Sequence, residues 1–273
     1  MKQYFDRVRA EHPLIHCITN YVTVNDCANI LLACGASPIM ADDAAETAEI
    51  TSICAGTVLN IGTLNSRTVE SMLSAGRRAK ELGHPVVLDP VGAGASRLRT
   101  ETAMRILAEV QPDVVRCNMS ELKMMMNAGS VSRGVDAAEI DRITDENLAS
   151  GAELLCEFSR KNHCVTAVSG AIDLIAAPDG RVCAVRNGHP MMSAITGSGC
   201  MLSVVTGAFA AASGGKYFES VCAAFCAMGI AGERAQALLL PQEGNATYRN
   251  RLIDAFYCAD TADWERSVRC EMH

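Results

Sequence analysis

The chain has 273 residues, of which 49% are hydrophobic and 20% charged, a balance typical of globular domains that excludes disordered, collagen-like and fibrous readings. Its 24 basic residues against 31 acidic ones leave a net charge of −7, and no basic run interrupts that excess, which argues against nucleic acid or an anionic membrane surface as the partner. At roughly 100 to 200 residues per domain, the length admits one large or two small domains. No Ser/Pro-rich linker, composition step or internal repeat divides it, so one domain over 1–273 is expected.

The opening MKQYFDRVRAEH carries charges where a secretion signal needs an apolar stretch, and no run reaches about 18 uninterrupted apolar residues. A cytoplasmic protein is expected. Apolar runs of strand length then follow at 14–18 (LIHCI), 57–61 (TVLNI), 85–89 (PVVLD), 113–117 (DVVRC) and 164–169 (CVTAVS), alternating with amphipathic stretches of helical length. That alternation predicts βαβ units in a parallel sheet. TVNDCANILLACG predicts a helix ending at Gly35, followed by the short SPIM run. Asp43 with Glu46, and Asn118 with Glu121, have capping-box spacing and predict two helix starts. The polar segment 127–144 reads as an exposed excursion. Pro178-Asp179-Gly180 between two strand-like runs predicts a hairpin, hence a sheet that is mixed at one edge. From Ser198 to Leu240 the chain is small-residue rich and helical, broken only at GGKY.

Thirteen cysteines suggest a disulfide framework until their places are read. Cys27, Cys34, Cys54, Cys156, Cys222 and Cys226 fall within apolar helical patterns, and the total is odd, which fits reduced, buried thiols. There is no CxxC pair, and Cys222/Cys226 without a nearby His make a poor zinc site.

Polar residues gather where strand runs end: Asn60 and Gly62, Asp89 and Pro90, Asn118, and Ser169 with Gly170. Open α/β sheets bind ligands outside the carboxyl ends of their strands. The sharpest feature is Ile195-Thr196-Gly197-Ser198-Gly199-Cys200 running straight into a helix. Its glycines let successive N–H groups point one way at a helix N-terminus, an anion site in outline; a tight turn joining strand to helix fits the same residues. A second glycine-rich loop, DPVGAGAS at 89–96, follows a strand ending in a carboxylate. Together they suit a nucleotide phosphate with Mg²⁺. No GxxxxGK[ST] and no GxGxxG opening the first βα unit occur, which sets aside P-loop NTPases and Rossmann dehydrogenases.

In order along the chain, PLIHCITNYVTVNDCANILLACGASPIMADD, VLNIGTLN, VVLDPVGAGAS, VRCNMSE, TAVSG and NGHPMMSAITGSGC resemble the hydroxyethylthiazole kinase family of thiamine salvage, within the ribokinase-like superfamily. The resemblance runs from about Pro13 to about Ala212. It implies a three-layer α/β fold with a mostly parallel central sheet, helices on both faces and an edge hairpin. It also implies transfer of a phosphoryl group from ATP, with Mg²⁺, to the alcohol of 4-methyl-5-(2-hydroxyethyl)thiazole, in a homotrimer with sites near subunit boundaries.

By the same resemblance, Met40 and Gly197 line the thiazole pocket, with Asn20 and Asn25 facing it. Arg116 and Ser169 contact ATP, with Asn118 and Gly199 beside them. Asp89 and Glu121 hold Mg²⁺, directly or through water, although Glu121 fits a capping box with Asn118 equally well. Superfamily relatives end the glycine loop in an Asp base, where this family and this chain have Cys; Cys200 is expected to orient or deprotonate the alcohol. Met40 also fits an ordinary core position, and His189 fits either support of the site or support of its own loop. Three other readings stay open: a pyridoxal or hydroxymethylpyrimidine kinase of the same fold, a non-catalytic nucleotide-binding regulator, and a thiol hydrolase pairing Cys200 with His189.

Overall fold

The computed structural model describes residues 1–128 and 142–273. Six strands, β1 (Leu14–Ile18), β2 (Ser37–Ile39), β3 (Gly56–Asn60), β4 (Val86–Asp89), β5 (Val114–Cys117) and β6 (Val165–Val168), pair in parallel. Three more, β7 (Asp173–Ala176), β8 (Val182–Val185) and β9 (Cys270–Met272), continue the same sheet antiparallel. The full order is β2-β1-β3-β4-β5-β6-β7-β8-β9. The expected hairpin at Pro178 is β7–β8, its turn closed by Ala177 N–H donating to the Arg181 carbonyl (2.9 Å), with Gly180 at φ +94°. The edge strand β9, drawn from the chain's last residues, is an addition that its polar neighbours did not announce.

The helices are α1 (Lys2–Glu11), α2 (Val24–Cys34), α3 (Thr47–Ile53), α4 (Ser66–Glu81), α5 (Arg97–Glu109), α6 (Met119–Ala128), α7 (Leu148–Asn162), α8 (Ser198–Ala211), α9 (Tyr217–Ala237), α10 (Asn245–Tyr257) and α11 (Thr261–Ser267). Alternate residues of each central strand enter opposite cores. Val58, Val87, Val114 and Ile175 face the layer of α1, α2, α8, α9 and α10, while Leu59, Leu88, Val115 and Leu174 face α4 to α7. Burial on both sides is why these strands read as unbroken apolar runs instead of alternating ones. No helix among the described residues is long and apolar enough to cross a membrane.

Helix α2 stops at Gly35 as expected, at φ +98°. The Asn118–Glu121 capping box is present: Asn118 N–H donates to Glu121 Oε2 (2.9 Å) and Glu121 N–H to Asn118 Oδ1 (2.8 Å). The Asp43–Glu46 box is not. Helix α3 begins later, at Thr47, without a side-chain cap; Asp43 instead accepts from Ala45 N–H (2.9 Å), and its carbonyl closes the turn before the helix. Most of the polar stretch 127–144 lies outside the described residues. Its described ends are exposed as expected at Asn127, Ala128, Arg142 and Thr144, with Ile143 buried; Asn127 and Ala128 also finish α6.

Helix α8 lies close over the sheet because it presents Gly207 to β3: a Cβ there would stand 2.4 Å from Val58 Cγ2. Gly207→Ala should therefore destabilise the chain by about 1 to 3 kcal/mol despite alanine's better helix propensity, and adding Val58→Ala should recover part of the loss. Urea unfolding of the two single variants and the double variant checks this.

Candidate active site

The loops after β1, β3, β4, β5 and β6 all emerge on the carboxyl edge of the sheet, and the N-terminus of α8 arrives at the same edge. Gly197, at φ +86°, caps α8. A Cβ on it would stand 2.5 Å from Thr23 Cγ2, so only glycine lets the turn close against the start of α2. The first helical bond runs from Met201 N–H to the Gly197 carbonyl (2.8 Å), which leaves the amides of Ser198, Gly199 and Cys200 ahead of the ladder and available to an anion. A Cβ on Gly199 would stand 2.7 Å from Arg116 Nη1; the guanidinium lies directly against the turn.

Asp89, at the end of β4, is completely buried. Its Oδ2 accepts from Asn60 Nδ2 (2.8 Å) and Ser203 Oγ (2.6 Å). Its Oδ1 has no hydrogen-bond partner, with Arg116 Nη1 at 3.8 Å. Burial raises its pKa to about 6 against the opposing pull of Arg116 and Ser203. The network runs on through Asn60 to the cysteine. Asn60 Oδ1 accepts from Gly62 N–H (2.9 Å) and Asn20 Nδ2 (3.3 Å), and the same Asn20 Nδ2 donates to Cys200 Sγ at 3.1 Å. Asn20 is oriented by Thr23, whose N–H and Oγ1 both donate to its Oδ1 (3.1 and 2.9 Å). On the other side Arg116 Nη2 donates to Ser169 Oγ. One line of polar contacts thus joins Cys200 to Ser169 across five strand ends.

The second glycine loop is tied in twice. Glu121 Oε1 accepts from Gly92 N–H (2.8 Å) while Oε2 serves the capping box, so this side chain fastens the loop after β4 to the start of α6. Arg99 reaches across to the carbonyls of Ile61 (3.1 Å), Val91 (2.6 Å) and Gly62. The orphaned Asp89 Oδ1 suits a hard cation, and the free amides of α8 suit the phosphate that such a cation accompanies. Beyond Arg116 opens a cavity of about 660 Å³, lined by Arg116, Asn118, Ser169, Asp173, Asn187 and Gly199 among others. Asp173 accepts from Gly170 N–H (2.8 Å), and desolvation raises its pKa to about 7, opposed by that bond and by Arg116.

The hydroxyethylthiazole kinase family model matches residues 5–261. The chain belongs to that family. It is 50% identical over 273 residues to a hydroxyethylthiazole kinase of Clostridium acetobutylicum, covering all of both chains. Among solved structures it superposes on a hydroxyethylthiazole kinase protein of Pyrococcus horikoshii with a TM-score of 0.86 at 33% identity, over 99% of this chain and 98% of that one. A ribokinase-like superfamily protein of Enterococcus faecalis matches at a TM-score of 0.62 and 10% identity, over 96% of this chain and 89% of that one, a likeness of fold. The fold is ribokinase-like.

Of the residues the family resemblance singles out, the structure brings Asn20, Asp89, Arg116, Ser169, Gly197, Gly199 and Cys200 into one connected group, with Asn118 and Glu121 at its border. Met40 stands apart from the cavity, half-buried after β2 against the core under α2 and α8. Asn25 is exposed on α2 and bonded to Asn29 (3.1 Å), outside the group. His189 Nδ1 accepts from Met191 N–H (3.2 Å) and starts the turn Pro190–Ala194, so it supports its own loop at the cavity rim; the polar contact of Cys200 is Asn20, not His189. Sequence reasoning missed Arg99, Ser203, Thr23 and Asp173. Ser203 sits one turn after Cys200 and was detectable by helical spacing; Arg99 and Asp173 carry no such signal, lying in an ordinary charged helix and an apolar strand.

Because the native pKa of Asp89 is raised above its ordinary 3.8, its folded state holds the proton longer than its unfolded state. Asp89 therefore costs nothing below about pH 4, and the cost grows as pH rises through about 6. Asp89→Asn should match the native chain in stability at pH 4 and exceed it by about 2 to 3 kcal/mol above pH 7. Urea denaturation across that range in the absence of ligands measures the difference, and parallel curves would refute it.

Proposed function

We propose that the chain transfers the γ-phosphoryl group of ATP to the primary alcohol of 4-methyl-5-(2-hydroxyethyl)thiazole, forming the thiazole phosphate used in thiamine salvage. The observation that carries the reading is the glycine turn at the head of α8, with the Arg116–Ser169 cavity on one side and the Asn20–Cys200 pair on the other, in a chain of this family. Phosphoryl transfer asks for positioning and charge stabilisation more than covalent chemistry. The amides of Ser198, Gly199 and Cys200 hold the γ-phosphate oxygens as charge spreads over them. Arg116, held by Ser169, binds phosphate from the cavity side. Asn20 donates to one lone pair of Cys200 Sγ, and the second lone pair accepts from the substrate hydroxyl, which the sulfur orients with partial base character. Gly197 and Met40 border the thiazole. Mg²⁺, held by Asp89 and Glu121 together with phosphate and water, offsets phosphate charge when bound.

The domain is single over 1–273 and works in the cytoplasm, where thirteen free thiols stay reduced. Helix α2 and its approach expose Tyr21, Val22 and Leu32, and Asn25 lies one heptad before Leu32, on that same face of α2. We read this face as a subunit boundary of a homotrimer, which puts Asn25 beside a neighbouring site. Light scattering should give three times the 29.0 kDa chain mass, and Leu32→Arg should shift it to the monomer.

ADP release coupled to the thiazole alcohol tests the activity, with pyridoxal and hydroxymethylpyrimidine as competing acceptors and EDTA as the metal control. The thiazole should be preferred and EDTA should abolish turnover. Cys200→Ala keeps the anion-binding amides and should retain measurable activity. Cys200→Asp supplies a full general base, an effect typically of about 10² to 10⁴-fold, and should match or exceed the native rate. An inactive Asp variant that binds both substrates, or a phosphocysteine trapped from ATP in the native chain, would overturn the orienting role.

A further inference from the structure

Four cysteines far apart in the sequence meet at the antiparallel edge of the sheet. Strands β8 and β9 pair with Cys183 opposite Met272 and Val185 opposite Cys270, so Cys183 and Cys270 are diagonal neighbours on one face. Helix α9 contributes Cys222 and Cys226, one turn apart. All four line a cavity of about 240 Å³. Among the described residues no three His, Cys, Asp or Glu side chains converge as metal ligands, so the chemistry available here is that of thiols with one another.

The four differ in access and in acidity. Cys183, Cys222 and Cys226 are buried, whereas Cys270 is exposed. Cys226 and Cys270 interact through their side chains, and that contact, with burial, pushes the Cys226 pKa far up. The same contact, with one from Cys183, its diagonal neighbour across the strand pair, brings Cys270 down to about 6 against desolvation. An exposed thiolate backed by a protonated thiol is the arrangement of a nucleophile with its resolving partner.

We propose that Cys270 and Cys226 form a redox-modifiable pair that reacts with low-molecular-weight disulfides and, once joined, ties β9 to α9. The Cys270 thiolate bonds to one sulfur of the small disulfide and expels the other half as a thiolate, which takes up a proton. Cys226 then loses its proton, bonds to Cys270 Sγ and expels the second half. Two protein thiols are oxidised to one disulfide, and one small disulfide is reduced to two thiols. In a reducing cell such a bond is transient, as sensing disulfides are.

The pair has a physical route to the nucleotide cavity. The residue before Cys270, Arg269, donates from its N–H to Asn187 Oδ1 (2.7 Å) and from Nη2 to Glu233 Oε1 (2.7 Å). Glu233 in turn accepts from Asn187 Nδ2 (3.1 Å) and Gly188 N–H (2.7 Å). Asn187 and Gly188 line the larger cavity, as does Phe225, the neighbour of Cys226 on α9. Arg269 is thus a positioning residue for that wall, and a bond formed at Cys270 pulls on it.

The test treats the full chain with glutathione disulfide under native conditions, followed by alkylation, digestion and mass spectrometry. The expected product is a peptide linking Cys226 to Cys270, with two fewer free thiols. Cys226→Ala should instead retain glutathione on Cys270, and Cys270→Ser, a change at an exposed position, should block the reaction at both sites. Glutathione persisting on Cys270 of the native chain, modification confined to Cys258, or a Cys183–Cys270 link would each overturn the pair. Calorimetric titration with ATP then reads the coupling: the linked chain should bind about threefold or more weakly, with recovery in dithiothreitol and no change in Cys226→Ala. Unaltered ATP affinity in the linked chain would overturn the route to the cavity.

Discussion

Asp89 carries a carboxylate into a fully buried position, and burying a charge is tolerated only where hydrogen bonds and an opposite charge offset the lost hydration. Asn60 from β3 and Ser203 from α8 satisfy one oxygen, while Arg116 from β5 stands off the other. Three elements that share no local sequence are therefore held in register by one side chain. Arg116 is itself confined between Ser169 and the turn at Gly199. The compensation is incomplete, as the orphaned Oδ1 and the raised pKa record. Incomplete satisfaction of a buried titratable group is a common mark of a functional site.

The geometry of the glycine turn follows from packing further along α8. Gly207 lets the helix lie against Val58, and that depth brings Ser203, one turn earlier, to Asp89 and Cys200, almost a turn before that, to Asn20. A larger residue at 207 would lift the whole helix and move the amides of Ser198 to Cys200 with it. The core contact at Gly207 and the glycine turn at Gly197 are two ends of one rigid rod. Small residues along VVTGAFAAAS thus serve approach distance, and the glycine turn inherits its position from them.

Glu121 shows how one carboxylate serves a local motif and a long-range contact at once. A carboxylate has two oxygens: one closes the capping box with Asn118, and the other holds Gly92 in the second glycine loop. The helix start and the second glycine loop become one unit. Arg99 adds three backbone carbonyls from the loops after β3 and β4, neutralising the negative ends of strands that all terminate at this edge.

The sequence by itself determined the layer architecture, because two-sided burial writes apolar runs at strand spacing, and Pro178-Asp179-Gly180 marks its own turn through glycine's access to positive φ. It also determined the family, since motifs such as ITGSGC and DPVGAGAS are contiguous and ordered along the chain. Within the site it exposed the residues that end strands or open helices, where backbone geometry restricts residue choice: Asn60, Asp89, Asn118, Gly197. Only the tertiary structure decided what those residues touch. The start of α3 moved to Thr47 because Asp43 bonds within its own turn, a choice between two local partners that spacing cannot rank. Arg99, Ser203 and Asp173 joined the site, and Cys183, Cys222, Cys226 and Cys270 met, through contacts between segments tens to hundreds of residues apart. Local pattern encodes how a segment folds, but which distant side chain meets it depends on sheet order and helix depth, which no single segment contains.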